Sequence, residues 1–370
     1  GIGYVVADNA RINHDVLIAP SAKGGVKHGQ YAEVRITQWP TMSRQAQGEV
    51  IEVVGDYMAP GMEIEVALRS YDIPSEWPDE VIKEAERLKD HVVEKDKLKR
   101  VDLRHLPLVT IDGEDARDFD DALYCEPHKA SGWRLFSGGW KLYVAIADVS
   151  HYVPVGSALD EEAELRGTSV YFPSEVIPML PEALSNGLCS LNPHVDRLAM
   201  VCEMTVSKTG ELTDFEFYEG VIHSHARLTY NKVSSMLEQP RSREGKALRD
   251  EYAEVLPHLE NLYELYKALA KARQGRGAID FETTETRMVF GEDRKIVEIR
   301  PTTRNDAHKI VEECMLCANV ATARFLQELE LPGLYRVHDG PQAEKVERLR
   351  EFLNSQGLSL TRKKGVPTPE

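Results

Sequence analysis

No apolar run in the chain reaches the ~18 residues that a bilayer-spanning helix needs, so the sequence predicts no membrane segment. Cysteine is scarce. The five present (Cys125, Cys189, Cys202, Cys314 and Cys317) are too few for a disulfide scaffold in 370 residues and read as reduced thiols in a cytoplasm. The start, GIGYVVADNARINHD, has neither a signal peptide nor a basic transit sequence, and it lacks an initiator methionine. It therefore reads as a trimmed or expressed fragment. Cations are outnumbered, 45 against 61 acids, for a net charge of −16. That balance excludes generic coating of nucleic acid by a basic face. It leaves room for a local basic channel or a metal-mediated phosphate site. There is no internal repeat and no low-complexity tract.

What is present is ordinary globular composition, 42% hydrophobic and 29% charged, enough for two or three domains. Residues 1–70 carry five short Val- and Ile-rich runs bounded by Gly, Pro, Asn or Asp: GYVVADN, DVLIAP, YAEVRITQW, GEVIEVVGD and MEIEVALRS. Five strands in that length predict a small β-barrel such as an OB-fold. Residues 71–100 are charged and read as a helical connector, with Ser75 as N-cap and Glu76 and Asp79 in the first turn. Pro78 is tolerated there, because first-turn amides lack intrahelical partners. Beyond residue 100 strands return, with the SGG and KTG triplets as hairpin turns. From residue 250 three helices follow. EYAEVLPHLENLYELYKALAKARQG stops at a glycine, NDAHKIVEECMLCANVATARFLQELEL is capped by Asn305 or Asp306, and QAEKVERLREFLNSQG is the third.

The stretch IDGEDARDFDDAL, residues 111–123, holds five Asp, one Glu and a single Arg. At about 4 Å and an effective dielectric of about 20, each like-charged pair costs about 4 kcal/mol. Either this is a solvated acidic turn, or something positive sits among the acids. If LVTID ends one strand and FDDALY begins the next, Asp112, Asp118, Asp120 and Asp121 gather at one point. All-oxygen ligands suit Mg²⁺ or Mn²⁺ rather than Zn²⁺. Two such ions can activate a water and hold the leaving oxygen in phosphodiester cleavage. An EF-hand is excluded, because its positions 6 and 12 would be Arg117 and Leu123. Exonucleases that gather four carboxylates from separated motifs do not place them in so short a window.

Other candidates have plainer readings. Cys314 and Cys317 have zinc or redox spacing, but they lie in an apolar helical pattern without a second pair, so core packing is the expectation. His308 and Glu312 are one residue short of a zincin motif and read as a surface pair. Asp148, in VAIADVS, reads as a buried structural acid. Tyr171, Tyr230 and Phe281 are aromatics that either pack in a core or stack bases.

The run DLRHLPLVTIDGEDARDFDDALYCE resembles the signature of the ribonuclease II family, the RNB domain proteins. VAIADVSHYV, RGTSVYFPSEVIPMLPEALSNGLCSLNP, SHARLTY and RNDAHKIVEECMLCANV continue the resemblance in order over about residues 100–360. The resemblance implies an α+β protein with a small OB-fold, cold-shock-like barrel (1–70). A helical linker (71–100) and an α/β RNB-type catalytic domain (101–370) follow. It implies processive 3′→5′ hydrolysis of single-stranded RNA to nucleoside 5′-monophosphates, with Mg²⁺ at a two-ion site and Mn²⁺ as the alternative. Asp112, Asp118, Asp120 and Asp121 match the catalytic and metal-binding acids, with Asp120 the one most needed for chemistry. Tyr171 matches the aromatic that stacks near the 3′-terminal base, and Phe281 the other base clamp. Tyr230 matches a residue of the RNA path, and Glu312 an acid near the ribose, whose 2′-OH distinguishes RNA from DNA.

The sequence also departs from that pattern. It stops at TRKKGVPTPE, where the family continues to a stretch near TSPIRRYPDL and an S1 domain. That stretch carries an Arg that the resemblance places on the transition-state phosphate, a contact worth about 10²–10³ in rate. The expectation is a truncated catalytic domain that is inactive or needs the C-terminal fragment as partner, with apolar surface exposed at the break. LFSGGWKLYV is longer than the family's hairpin and reads as a surface insertion. An RNA-binding regulator without catalysis is the alternative, although all four acids are present. DNA hydrolysis is disfavoured if the ribose role of Glu312 and Tyr230 carries over.

Overall fold

Alternating apolar residues and turn-forming glycines build most of the sheets in the computed structural model, which describes residues 2–57, 59–129, 138–279, 285–291 and 295–360. In chain order the amino-terminal elements are β1 (Gly3–Val5), β2 (Val16–Ile18), β3 (Gln30–Gln38), β4 (Ala46–Asp56), α1 (Met62–Ser70), α2 (Asp79–Glu86) and α3 (Glu94–Lys97). The middle holds β5 (Val101–Asp102), β6 (Val109–Asp112), β7 (Asp121–His128), β8 (Gly139–Ala147), α4 (Ala158–Arg166), β9 (Val170–Tyr171), β10 (Val176–Ile177), β11 (Asp196–Ser207), β12 (Leu212–His223) and β13 (Ala226–Thr229). The rest is α5 (Tyr230–Leu237), α6 (Arg243–Glu251), α7 (Leu256–Gly275), β14 (Glu285–Phe290), β15 (Ile296–Thr302), α8 (Asp306–Glu328) and α9 (Ala343–Ser355). The chain divides into two compact units.

The first unit comprises residues 1–84, 156–180 and 284–302. Its four-stranded sheet runs β1-β2-β4-β3, with β2 and β4 parallel and the other pairs antiparallel. Val16, Ile18 and Ala46 form its core against Val34, Ile36 and Val50. The fifth expected strand is instead helix α1. MEIEVALRS alternates apolar and charged residues, which mimics a strand, but Met62, Glu63, Glu65, Ala67, Leu68 and Arg69 are all strong helix formers. Gly61 enters the helix in a left-handed conformation (φ 84°), and Arg69 bonds Glu65 one turn back at 2.6 Å. Ile64 and Leu68 then pack on Ile177. Ser75 is not a helix cap: α2 begins at Asp79, directly after Pro78, and the expected connector holds two short helices.

The second unit, residues 85–155, 181–283 and 303–370, is built on a seven-stranded sheet ordered β13-β6-β7-β8-β11-β12-β5. Its central pairs are antiparallel, while β13 joins β6 and β5 joins β12 in parallel at the two edges. Leu123, Cys125, Leu142, Val144, Cys202 and Met204 of one face pack on Leu259, Leu262 and Leu265 of α7 and on Ile310, Cys314 and Cys317 of α8. The two spaced cysteines are therefore core residues, as expected, and burial pushes the Cys317 thiol up to about 11. The KTG turn is tight for a reason: Gly210 has φ 79° and a Cβ there would meet the Ala268 carbonyl of α7 at 2.4 Å. Asn305 caps α8, accepting from the His308 amide. Of the expected surface insertion LFSGGWKLYV, residues 135–144, the first three lie outside the described residues. Gly139–Val144 belong instead to β8, paired with β7 and β11, and Leu142 and Val144 are core residues. No helix among those described is long and apolar enough to cross a membrane.

Candidate active site

The sheet register brings the acids together. Asp112 is the last residue of β6 and Asp121 the first of β7, as the pattern LVTID…FDDALY predicts. The eight residues between them form a connection without helix or strand. Asp121 pairs with Ile146 of β8 in the row that β7 carries on to Leu123 and Cys125, so its side chain enters the helix-covered face of the sheet. There its Oδ2 is buried without a hydrogen-bond partner. Burial, then the charges of Asp112 and Asp120, push its carboxyl up to about 6. Asp120 also rises to about 6, through burial and then Asp118 and Asp112. Asp112 rises through burial and Asp118, opposed by the Gly113 amide at 2.6 Å and by Arg227 and His308.

All four predicted acids thus act on one another, and no cation is a cause for Asp120 or Asp121. Yet among the described residues no group of three or more Asp, Glu, His or Cys side chains is arranged to hold an ion. The donor chemistry fits a hard divalent cation nonetheless: the set is all oxygen, and a buried carboxylate oxygen with no partner is a group that a cation would satisfy.

The loop itself is fastened from distant parts of the chain. Ser190 Oγ accepts from the Phe119 amide and donates to the Arg117 carbonyl, both at 3.1 Å. Arg227 donates to the Ala116 carbonyl at 2.7 Å and lies over the Phe119 ring. Asn231 donates to Glu114 at 2.8 Å. These residues carry no signal in a linear reading, because the partners lie from 71 to 117 positions away.

Tyr230 joins the acids because β13 runs parallel to β6 with Thr229 opposite Asp112. Burial and the charges of Asp112 and Asp121 raise its phenol to about 12. Its ring stacks on His308, centroids 3.9 Å apart and planes 16° from parallel. His308 is thus a ring platform beside the acids rather than half of a surface pair. Glu312, one turn further along α8, is half-exposed and paired with Arg304. Tyr171 belongs to the first unit, at the end of β9 opposite Val176, and is 65% exposed. Phe281 lies outside the described residues. Asp148 is the buried acid expected, bonded by Arg100 at 2.6 Å and Ser150 at 2.8 Å.

An acid-lined connection between β6 and β7, on a sheet backed by α7 and α8 and accompanied by a small β-domain, defines a class. The chain belongs to the RNB domain family, which its residues 100–368 match, while residues 4–78 match the cold shock domain. Its relatives include ribonuclease R of Vibrio parahaemolyticus, 53% identical over 360 residues, and ribonuclease R of Escherichia coli, 52% identical over 360 residues. Each alignment covers 97% of this chain but 42% and 43% of the relative, so the chain spans about two fifths of the length of these proteins. Among solved structures, Mycoplasma genitalium RNase R in complex with double-stranded RNA superposes with a TM-score of 0.85 at 29% identity, over 98% of this chain and 62% of that one.

Proposed function

We propose that the chain carries the catalytic acids of a metal-dependent 3′→5′ exoribonuclease, which hydrolyses single-stranded RNA to nucleoside 5′-monophosphates in the cytoplasm. The observation that carries this reading is the buried, partnerless Asp121 Oδ2 amid three further mutually repelling carboxylates. The ribonuclease R relatives support the choice of RNA. Asp112, Asp118, Asp120 and Asp121 would hold Mg²⁺, with Mn²⁺ as the alternative. When bound, such an ion lowers the pKa of a water and offsets charge on the phosphate. The chain's own residues do the positioning. Asp120, on the open side of the loop, orients the attacking water. Tyr230, backed by His308, sets the RNA path beside Asp112. Glu312 accepts from the ribose 2′-OH, and Tyr171 and Phe281 stack bases. Substrate polarity and the contribution of the C-terminal part of the relatives belong to the same proposal.

A 5′-labelled single-stranded RNA of about thirty nucleotides tests it, by the gel-assay logic of salt-controlled binding and cleavage. Mg²⁺-dependent shortening to a small 5′ stub, absent with Asp120→Asn and with EDTA, is the expected result. Intact RNA that shifts on a native gel would instead support a second reading, RNA binding without cleavage. Repeating the assay with the C-terminal part of a relative added separates an incomplete enzyme from a non-catalytic one.

A further inference from the structure

We infer that Ser190 is a positioning residue, which braces the backbone on both sides of Asp118 and holds the acid loop in shape for ion binding. The inference rests on the ion-holding reading of the acids. Four mutually repelling carboxylates favour a splayed loop. The acids themselves therefore do not hold the loop together, and much of the hold comes from outside it.

The structure does this at consecutive backbone groups. Ser190 Oγ accepts from the Phe119 N–H and donates to the Arg117 carbonyl, so one hydroxyl spans the peptide units flanking Asp118. The next residue, Leu191, donates its amide to the Phe119 carbonyl at 2.8 Å. The Asp120 carbonyl accepts from Ala147 at 2.9 Å. Ser190 is fully buried, so water cannot substitute for its hydroxyl. Its own backbone is fixed in turn. The buried Arg197 donates to the carbonyls of Ser190 (2.8 Å), Gly187 (3.0 Å) and Asp196 (3.0 Å), tying the turn that carries Ser190 to β11. A buried guanidinium satisfied by carbonyls is costly to keep. Its use here is geometric: it sets where Ser190 stands.

The test compares the wild-type chain with Ser190→Ala, Asp120→Asn and Val206→Ala, the last a buried truncation near the far end of β11, where Val206 pairs with Trp140 and Leu212. Mn²⁺ affinity is read by electron paramagnetic resonance and loop opening by hydrogen exchange of the peptide carrying Arg117–Asp120. Ser190→Ala is expected to speed exchange there and to weaken Mn²⁺ binding about 10–100-fold, the usual cost of losing an outer-shell partner. Val206→Ala should leave both unchanged. Should Ser190→Ala not fold, Ser190→Cys keeps the volume but bonds weakly, and it should weaken Mn²⁺ binding in the same direction by less. Wild-type affinity in the serine variant, or equal weakening by Val206→Ala, overturns the brace alone. A wild-type chain that binds no Mn²⁺, indistinguishable from Asp120→Asn, overturns the ion-holding reading and the brace's purpose with it.

Discussion

Two acids of the second unit lie at adjacent strand ends and meet opposite fates. Asp148 follows β8 and is 4% exposed, yet its carboxyl stays below its ordinary range, because Arg100 and Ser150 bond it against the cost of burial. Asp121 opens β7 with one oxygen buried and unbonded, and its carboxyl rises to about 6. Burial alone does not decide the state of a carboxylate; the partners built around it do. The structural acid is given a cation by the fold. Asp121 is surrounded by other acids instead.

The comparison can be broken at its strongest point first. Asp148→Asn leaves Arg100 buried with one carboxylate fewer, and chemical denaturation should record a loss of about 3–5 kcal/mol. Saturating Mg²⁺ or Mn²⁺ should stabilise the wild-type chain by about 2.7 kcal/mol at a hundredfold excess over Kd, and Asp121→Asn by much less, as read by thermal melts. Without added metal, Asp121→Asn should be more stable than wild type, with a melting point higher by about 2 °C near neutral pH.

The sign of its pH dependence follows from linkage. The folded pKa of Asp121 lies above its unfolded value, so the native state binds the proton more tightly and gains stability as pH falls through about 6. The advantage of Asp121→Asn is therefore full above that value and vanishes below pH ~4, where the aspartate is protonated in both the folded and unfolded chain. Asp148 runs the other way: its stabilisation is present above the unfolded pKa and lost as pH falls through the lowered folded one. The smallest effect is expected at a surface pair. Arg35→Ala breaks a contact whose side chains are 65% and 44% exposed, and should cost under about 1 kcal/mol.

The same contrast explains what was legible in the sequence. Asp112, Asp118, Asp120 and Asp121 lie in one short window between two apolar runs, so a strand–loop–strand reading allows them to converge and the family resemblance chooses that reading over a solvated turn, while Asp148 stands out as an acid in an apolar run. Helix α8 and its Asn305 cap were readable because cap and periodicity agree. Met62–Ser70 misleads because alternation over nine residues satisfies a strand, while the helix it forms is decided by Gly61, the Glu65–Arg69 pair and packing on Ile177. The fastenings of the acid loop were invisible. A serine in LCSLNP or an arginine in SHARLTY carries no linear sign of the carbonyl it bonds, because that meeting is made by the sheet.

Those long separations also set an order of events during synthesis. The acids leave the ribosome 71 residues before Ser190 can take the Phe119 amide, and the Asn231–Glu114 bond spans 117. At about 5–20 residues per second the acid stretch waits several seconds before it can be drawn into shape. A nascent chain thus carries its acid stretch unfastened until the segments bearing Ser190, Arg227 and Asn231 have emerged.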